Sequence, residues 1–239
     1  MNWVDTEAIS VGRRRLDGAD RLLHLLTPDH GRLTAVARGV CLAKNRFGSA
    51  LEPFGVARVI LSPGRGEGLF RVESADRLAY FSRLSDDFSR LQAAALVSAW
   101  ARSLSRETAN PALYDTLKNT LSALDDAAPV ASGVAACLWR FAADAGVQPV
   151  LGHCVGCGTE NGVRGLRFDP GGVVCGNCRT SGDVPLAAPL IAGLRAAGMP
   201  IAAESGAARA GFVADETVYR RLVGLAQSYL RSHFGALPS

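Results

Sequence analysis

Two Cys-x-x-Cys pairs, Cys154/Cys157 and Cys175/Cys178, stand close together in a chain whose other cysteines, Cys41 and Cys137, are isolated. Separated by 17 residues, two such knuckles can deliver four thiolates to one tetrahedral ion, and the spacing is that of a Zn²⁺ site. The residues between the pairs are rich in Gly and short of large apolar side chains, so packing alone would not hold them. Four protein ligands leave no open coordination position. One structural Zn²⁺ is therefore expected, and any function must be carried elsewhere.

Three other readings compete with zinc. Disulfides suit an oxidising compartment, but the opening residues Met1-Asn2-Trp3-Val4-Asp5 contain no basic segment leading into an apolar run, so a reducing cytosol and free thiols are expected. A thioredoxin-like redox pair needs one Cys-x-x-Cys on a βαβ unit, not two in a Gly-rich knuckle. Coincidence is a poor account of twin pairs. His153 could substitute as a ligand, but its position directly before Cys154 reads better as a bystander. Cys41 and Cys137 read as isolated small apolar residues.

At 239 residues the chain can hold one large domain or two to three small ones. Its longest uncharged apolar stretch, 127–139, is interrupted by Pro129 and Gly133 and falls well short of the roughly 20 residues that span a bilayer. Net charge is +4, which decides little, but its distribution does more. Positions 30–66 hold Arg32, Arg38, Lys44, Arg46, Arg58 and Arg65 against the single acid Glu52, a local excess larger than that of the whole chain. A field of that sign favours a polyanion as partner, whereas a plain solvated face is the bland alternative.

Residues 1–80 read as β. A short strand at 8–11 leads to Arg13-Arg14-Arg15, and an apolar run at 22–26 enters the turn Thr27-Pro28-Asp29-His30-Gly31. Further strands are expected at 33–37, 56–61 and 69–72, the last two joined by a Gly-rich turn. Five short strands with tight turns suggest a small closed barrel of the OB type, and an SH3-like barrel would give nearly the same pattern. The glycines at 64, 66 and 68 are no phosphate cradle, because no helix follows them and no Gly-Lys-Ser/Thr occurs in the chain.

The remainder reads as helical, with the cysteine knuckle inserted. Phe88, Leu91, Ala95, Trp100 and Leu104 form a first stripe, and Asn110-Pro111 caps a second helix carrying Leu113, Tyr114, Leu117, Leu121 and Leu124. Val134, Leu138, Phe141 and Ala145 form a third stripe that Gly146 terminates. The pairs Asp86-Asp87 and Asp125-Asp126 lie at helix ends, where capping is the expected role. Helices are expected at 189–197, stopped by Gly198 and Pro200, and at about 215–233. The expected fold is thus multi-domain α+β: an OB-type barrel at 1–80, a helical domain at 81–150 and 182–239, and a Cys₄ zinc module at 151–181 inserted into it.

No nucleophile–base pair emerges, and His24, His30, His153 and His233 are scattered. Arg15-Leu16-Asp17-Gly18 resembles the Lys-x-Asp-Gly core of nucleotidyltransferases such as DNA ligases. That chemistry needs a lysine amine that can lose its proton, and an arginine stays charged. A non-enzymatic role is therefore expected, with a zinc-containing nucleotidyltransferase-like enzyme or accessory subunit, or a protein-binding scaffold, as alternatives.

The run Asp17-Gly18-Ala19-Asp20-Arg21-Leu22-Leu23-His24-Leu25-Leu26-Thr27-Pro28-Asp29-His30-Gly31-Arg32-Leu33 resembles the amino-terminal signature of the bacterial RecO family of DNA repair proteins. Val36-Ala37-Arg38-Gly39 and Ala50-Leu51-Glu52-Pro53-Phe54 continue it in order. Gly146-Val147-Gln148-Pro149-Val150-Leu151 before Cys154, and Gly171-Gly172 before Cys175, are similar to the zinc-bearing members, and Arg231-Ser232-His233-Phe234-Gly235 closes the likeness. The resemblance implies an OB barrel, a helical domain and a Cys₄ zinc module. It also implies binding of single- and double-stranded DNA, annealing of complementary strands, and mediation that helps the RecA recombinase replace single-stranded DNA-binding protein (SSB). The implied partners are RecR and sometimes RecF, with no membrane, in the cytoplasm at the nucleoid. Some members lack the cysteines, so DNA binding need not require zinc.

Annealing demands that strands be held by their phosphates with base edges left free to pair. The residues expected to make those contacts are Arg13, Arg14, Arg15, Arg32, Arg38, Lys44, Arg46 and Arg65, in or beside the barrel strands and loops. Phe47, between Arg46 and Gly48, is either a stacking platform for a base or a core residue at the base of a loop.

Overall fold

The structure is a computed structural model that describes residues 2–126, 128–198 and 215–236. Pro200, read as part of a helix stop, lies outside them. Strands β1 (Val4–Arg15), β2 (Arg21–Thr27), β3 (Gly31–Ala37), β4 (Val56–Pro63) and β5 (Leu69–Ala79) close into a barrel in the order β1-β2-β3-β5-β4. Every neighbouring pair is antiparallel except β3 and β5, which run parallel through Thr34↔Leu69, Ala35↔Phe70 and Val36↔Arg71. That closure is OB-like.

Apolar spacing predicts a short first strand, yet β1 runs for 12 residues. It pairs with β4 from Val4↔Leu61 to Ile9↔Val56, and with β2 from Ile9↔Leu26 to Arg15↔Arg21. The register shifts between Ser10 and Gly12, and such a bulge bends a strand so that one segment can serve both sides of a closed sheet. The β2–β3 hairpin is tied within itself. Thr27 donates its buried hydroxyl to the Gly31 carbonyl at 2.8 Å and accepts the His30 N–H at 3.1 Å. Along β3 the alternation is complete, with Leu33, Ala35 and Ala37 buried. The loop 38–55 turns Val40, Phe47, Ala50 and Leu51 into the same core.

Two helices, α1 (Phe88–Leu104) and α2 (Pro111–Asp125), complete the first compact unit, which ends at Val130. Asp87 caps α1 by accepting the N–H groups of Ser89 and Arg90, and the Asn110 side chain accepts Leu113 N–H at 3.0 Å to start α2. Both helices are fastened to the barrel by polar contacts. Tyr114 donates its hydroxyl to Glu7 at 3.1 Å and Lys118 its ammonium to the same oxygen at 3.0 Å. Lys118 chiefly, then Tyr114, holds the Glu7 carboxyl below its ordinary range. Spacing puts Phe88 and Ala95 on the core face of α1, but Phe88 is 73% exposed and Ala95 is exposed too. The buried face instead uses Ala93, Ala94, Val97, Trp100, Ala101 and Leu104. Small alanines allow close approach, and they outweigh the larger residues that an apolar stripe favours.

The second unit, from Ala131 to Ala236, contains α3 (Val130–Asp144), β6 (Val163–Arg167), β7 (Gly172–Cys175), β8 (Val184–Pro185), α4 (Ala188–Gly198) and α5 (Glu216–Phe234). The three strands form a sheet in the order β7-β6-β8. Tyr229 on α5 joins the parts of this unit. Its ring lies 5.5 Å from Trp139 on α3 and edge-on to Phe168 at 5.4 Å, and its buried hydroxyl donates to the Val147 carbonyl at 2.7 Å. Among the described residues no helix is long and apolar enough to cross a membrane.

Gly31 has φ +66°, and a Cβ there would sit 2.3 Å from the carbonyl oxygens of both Arg106 and Thr108. Because those atoms are backbone, Gly31→Ala should lower stability by about 3 kcal/mol or more in urea unfolding. Gly48→Ala, also at positive φ but with open space around it, should cost about 1 kcal/mol.

Candidate nucleic-acid interface and metal centre

The four knuckle cysteines converge, with all four Sγ atoms within 4.8 Å of one another. Cys154 and Cys157 lie in a turn before β6, Cys175 ends β7, and Cys178 lies in the turn that follows. Cys157 Sγ and Cys175 Sγ are 3.7 Å apart, close to the ~3.8 Å edge of a tetrahedron with metal–sulfur bonds of ~2.3 Å. The donor set therefore fits a four-thiolate metal ion. Backbone N–H groups already point at sulfur: Cys175 donates to Cys154 Sγ at 3.3 Å and Gly156 at 3.4 Å. Those bonds, Cys175 first, pull the Cys154 thiol down to about 6, while hydrogen bonding with Cys157 first pushes Cys178 up. Gly156 fits closely against the cluster, since a Cβ there would lie 3.0 Å from Cys178 Cβ. His153 is exposed and lies outside the sulfur cluster.

A buried ion pair backs the centre. Arg167 on β6 grips Asp183 through two 2.8 Å bonds and donates to the Cys178 carbonyl at 2.9 Å. Asp183, its side chain 3% exposed, also accepts Thr180 N–H at 2.7 Å. Arg167, first among these, holds the Asp183 carboxyl far below its ordinary range. The loop that presents Cys178 is thereby fixed to the sheet, with a cation beside a group of sulfurs that becomes anionic when it binds metal.

On the barrel, Arg13, Arg14 and Arg15 end β1 opposite Leu23, Leu22 and Arg21 of β2. Arg21 in turn faces Ala37, directly before Arg38. Arg15, Arg21 and Arg38 thus share one edge of three adjacent strands. Arg21 escapes a reading by sequence because only the register puts it there. Glu52 takes Arg13 at 2.8 Å and approaches Arg21 at 3.7 Å. Arg14, Arg15, Arg38 and Lys44 remain exposed, and among the described residues none of them is in an ion pair.

Other expected contacts are placed differently. Arg32 is half-buried and donates its guanidinium to the Arg102 carbonyl at 3.0 Å, so it ties β3 to α1. Arg46 donates to the Val72 carbonyl at 3.0 Å while its guanidinium lies over the Phe47 ring at 4.7 Å. Phe47 itself is 4% exposed within the barrel core. No ring face is left for a base, so the core alternative for Phe47 replaces the stacking one. Arg65 is exposed in the β4–β5 turn, which enters β5 at the Thr34↔Leu69 register, away from Arg15 and Arg38. Cys41, expected to be a small apolar filler, is exposed, whereas Cys137 is buried.

An OB-like barrel with a basic edge, followed by helices and a four-cysteine centre, defines the class. The family model described as Recombination protein O N terminal matches residues 1–81, and Recombination protein O C terminal matches residues 85–238. The chain is 36% identical over 203 residues to the DNA repair protein RecO of Myxococcus xanthus, covering 82% of each. It is also 35% identical over 182 residues to the DNA repair protein RecO of Anaeromyxobacter dehalogenans, covering 75% of this chain and 71% of the relative. The chain belongs to the RecO family, and its role lies in DNA repair.

Removing the ion pair that backs the sulfurs should loosen the centre without touching a ligand. Arg167→Met, loaded with Zn²⁺, should release metal to a chromogenic chelator at least about tenfold faster than the unaltered protein, whereas Arg220→Met on exposed α5 should not.

Proposed function

We propose that this protein is a non-enzymatic mediator of recombinational repair that holds DNA strands by their phosphates on the barrel. The observation that carries this reading is the edge of Arg15 and Arg38, with Arg14 and Lys44 nearby in sequence, exposed and outside ion pairs on an OB-like barrel of a RecO family chain. Cations placed this way grip a sugar–phosphate backbone and leave base edges free, which suits binding of single- and double-stranded DNA and annealing of complementary strands. Beyond the strand itself, the reading includes help to RecA in displacing SSB, with RecR as partner and RecF in some settings, at the nucleoid in the cytoplasm.

In this reading the four cysteines hold one Zn²⁺ that braces the second unit. Thiolates suit this ion, and with every position filled by protein it supplies folding energy and no open site for a substrate. The 151–181 segment, with its two knuckles, is read as a module within a helical region, and the barrel as the DNA-binding domain.

Phosphate contacts are read directly from salt dependence. For a single-stranded homopolymer, the slope of log K against log salt should flatten by about 1.4 in Arg15→Ala/Arg38→Ala, because each lost contact removes about 0.7. An unchanged slope and affinity would remove this edge from the interface.

A further inference from the structure

The outer face of β1, β2 and β3 carries a second basic feature. Gly12, His24 and Thr34 lie in one row across the three strands, because Gly12 registers with His24 and His24 with Thr34. Thr34 Oγ1 lies 3.4 Å from His24 Nδ1. Arg102 comes down from α1 over the bare backbone of Gly12: a Cβ built there would be 3.0 Å from its Cδ and Nη1, and 3.3 Å from His24 Cδ2. Arg32, two residues before Thr34, donates to the Arg102 carbonyl, and Arg14 lies two residues beyond Gly12. None of these six residues is fully buried.

Three arginines act on the imidazole in this notch. Burial pushes the His24 imidazole below its ordinary range, and Arg102, Arg32 and Arg14 then push it the same way, from α1, β3 and β1 respectively. Near neutral pH the ring is therefore uncharged, with three guanidinium groups acting on it. The notch also lies between the two ends of the strands. Arg15 and Arg38 stand at one end of the strands, and Arg65 rides the turn that joins at the other.

We propose that this notch takes one backbone phosphate of a nucleic-acid strand, and that His24 takes up a proton from the buffer as the phosphate enters. The proposal rests on the strand-binding reading above and deepens it. The sign of the effect follows from linkage. Bound phosphate cancels the repulsion on the ring and favours imidazolium, so the complex holds more protons than the free protein, and affinity rises as pH falls. A phosphodiester keeps its single charge from pH 8 to pH 6, so the DNA contributes no proton change of its own.

The test is fluorescence anisotropy with an oligo-dT at fixed salt. The unaltered protein should bind about three- to tenfold more tightly at pH 6 than at pH 8, and His24→Gln should lose most of that gain. His30, His153 and His233 remain in that variant and report any other titration. Gly12→Ala changes no charge, but its methyl would meet the flexible end of Arg102, so it should weaken binding at pH 6 by about threefold or more. An undiminished pH response in His24→Gln, or unaltered affinity in Gly12→Ala, overturns the notch while leaving strand binding in place. Proton uptake with a polyaspartate peptide but not with oligo-dT would assign the notch to a protein partner and overturn the proposal. Absence of oligonucleotide binding at both pH values would instead overturn the strand-binding reading.

Discussion

A three-residue parallel ladder between β3 and β5 closes the barrel whose strand ends and loops carry the candidate strand contacts. Without it β3 would be an open edge. With it, β1 must bend at the Ser10/Gly12 shift to reach both β2 and β4, and the same bend leaves its last three arginines at the margin of the sheet. The strand ends are where a small barrel can display charge at least cost, since the interior holds apolar side chains such as Leu33, Ala35 and Val59.

The two compact units solve the stability problem by different means. In the first, side chains from all five strands and the 38–55 loop share one apolar core, and Glu7 and Arg32 add polar ties to the helices. In the second, the three-stranded sheet is small, with strands of five, four and two residues. Its buried apolar side chains are few, and the Arg167–Asp183 pair supplies a cross-link beside four sulfurs placed so that they could hold a metal ion. Tyr229 then gathers α3, α5 and the turn bearing Phe168 around one ring.

What was legible in the sequence was local. The knuckle spacing, the Thr27–Gly31 turn, the Asn110-Pro111 start and the Asp87 cap all depend on residues within a few positions of one another, and each is found as read. Features set by register or by long-range packing were not legible. The full length of β1, the edge shared by Arg15, Arg21 and Arg38, and the choice of an alanine-rich face on α1 appear only once strands and helices are paired. Phe47 shows the difficulty in one residue. Between Arg46 and Gly48 it fits a stacking platform or a core plug equally well, and only the inward turn of its loop selects the core. Arg32 is similar, since its charge suggests a phosphate while its partner is a helix carbonyl.

The central physical claim is that the barrel margin, and not the cysteine centre, holds the nucleic-acid strand by charge. Amide hydrogen exchange of the full chain, with and without a single-stranded oligonucleotide, tests it most directly. Slowed exchange at 13–21 and 38–46, with 154–183 unchanged, is the predicted result. Slowing confined to 154–183, with the barrel margin unaffected, would contradict it.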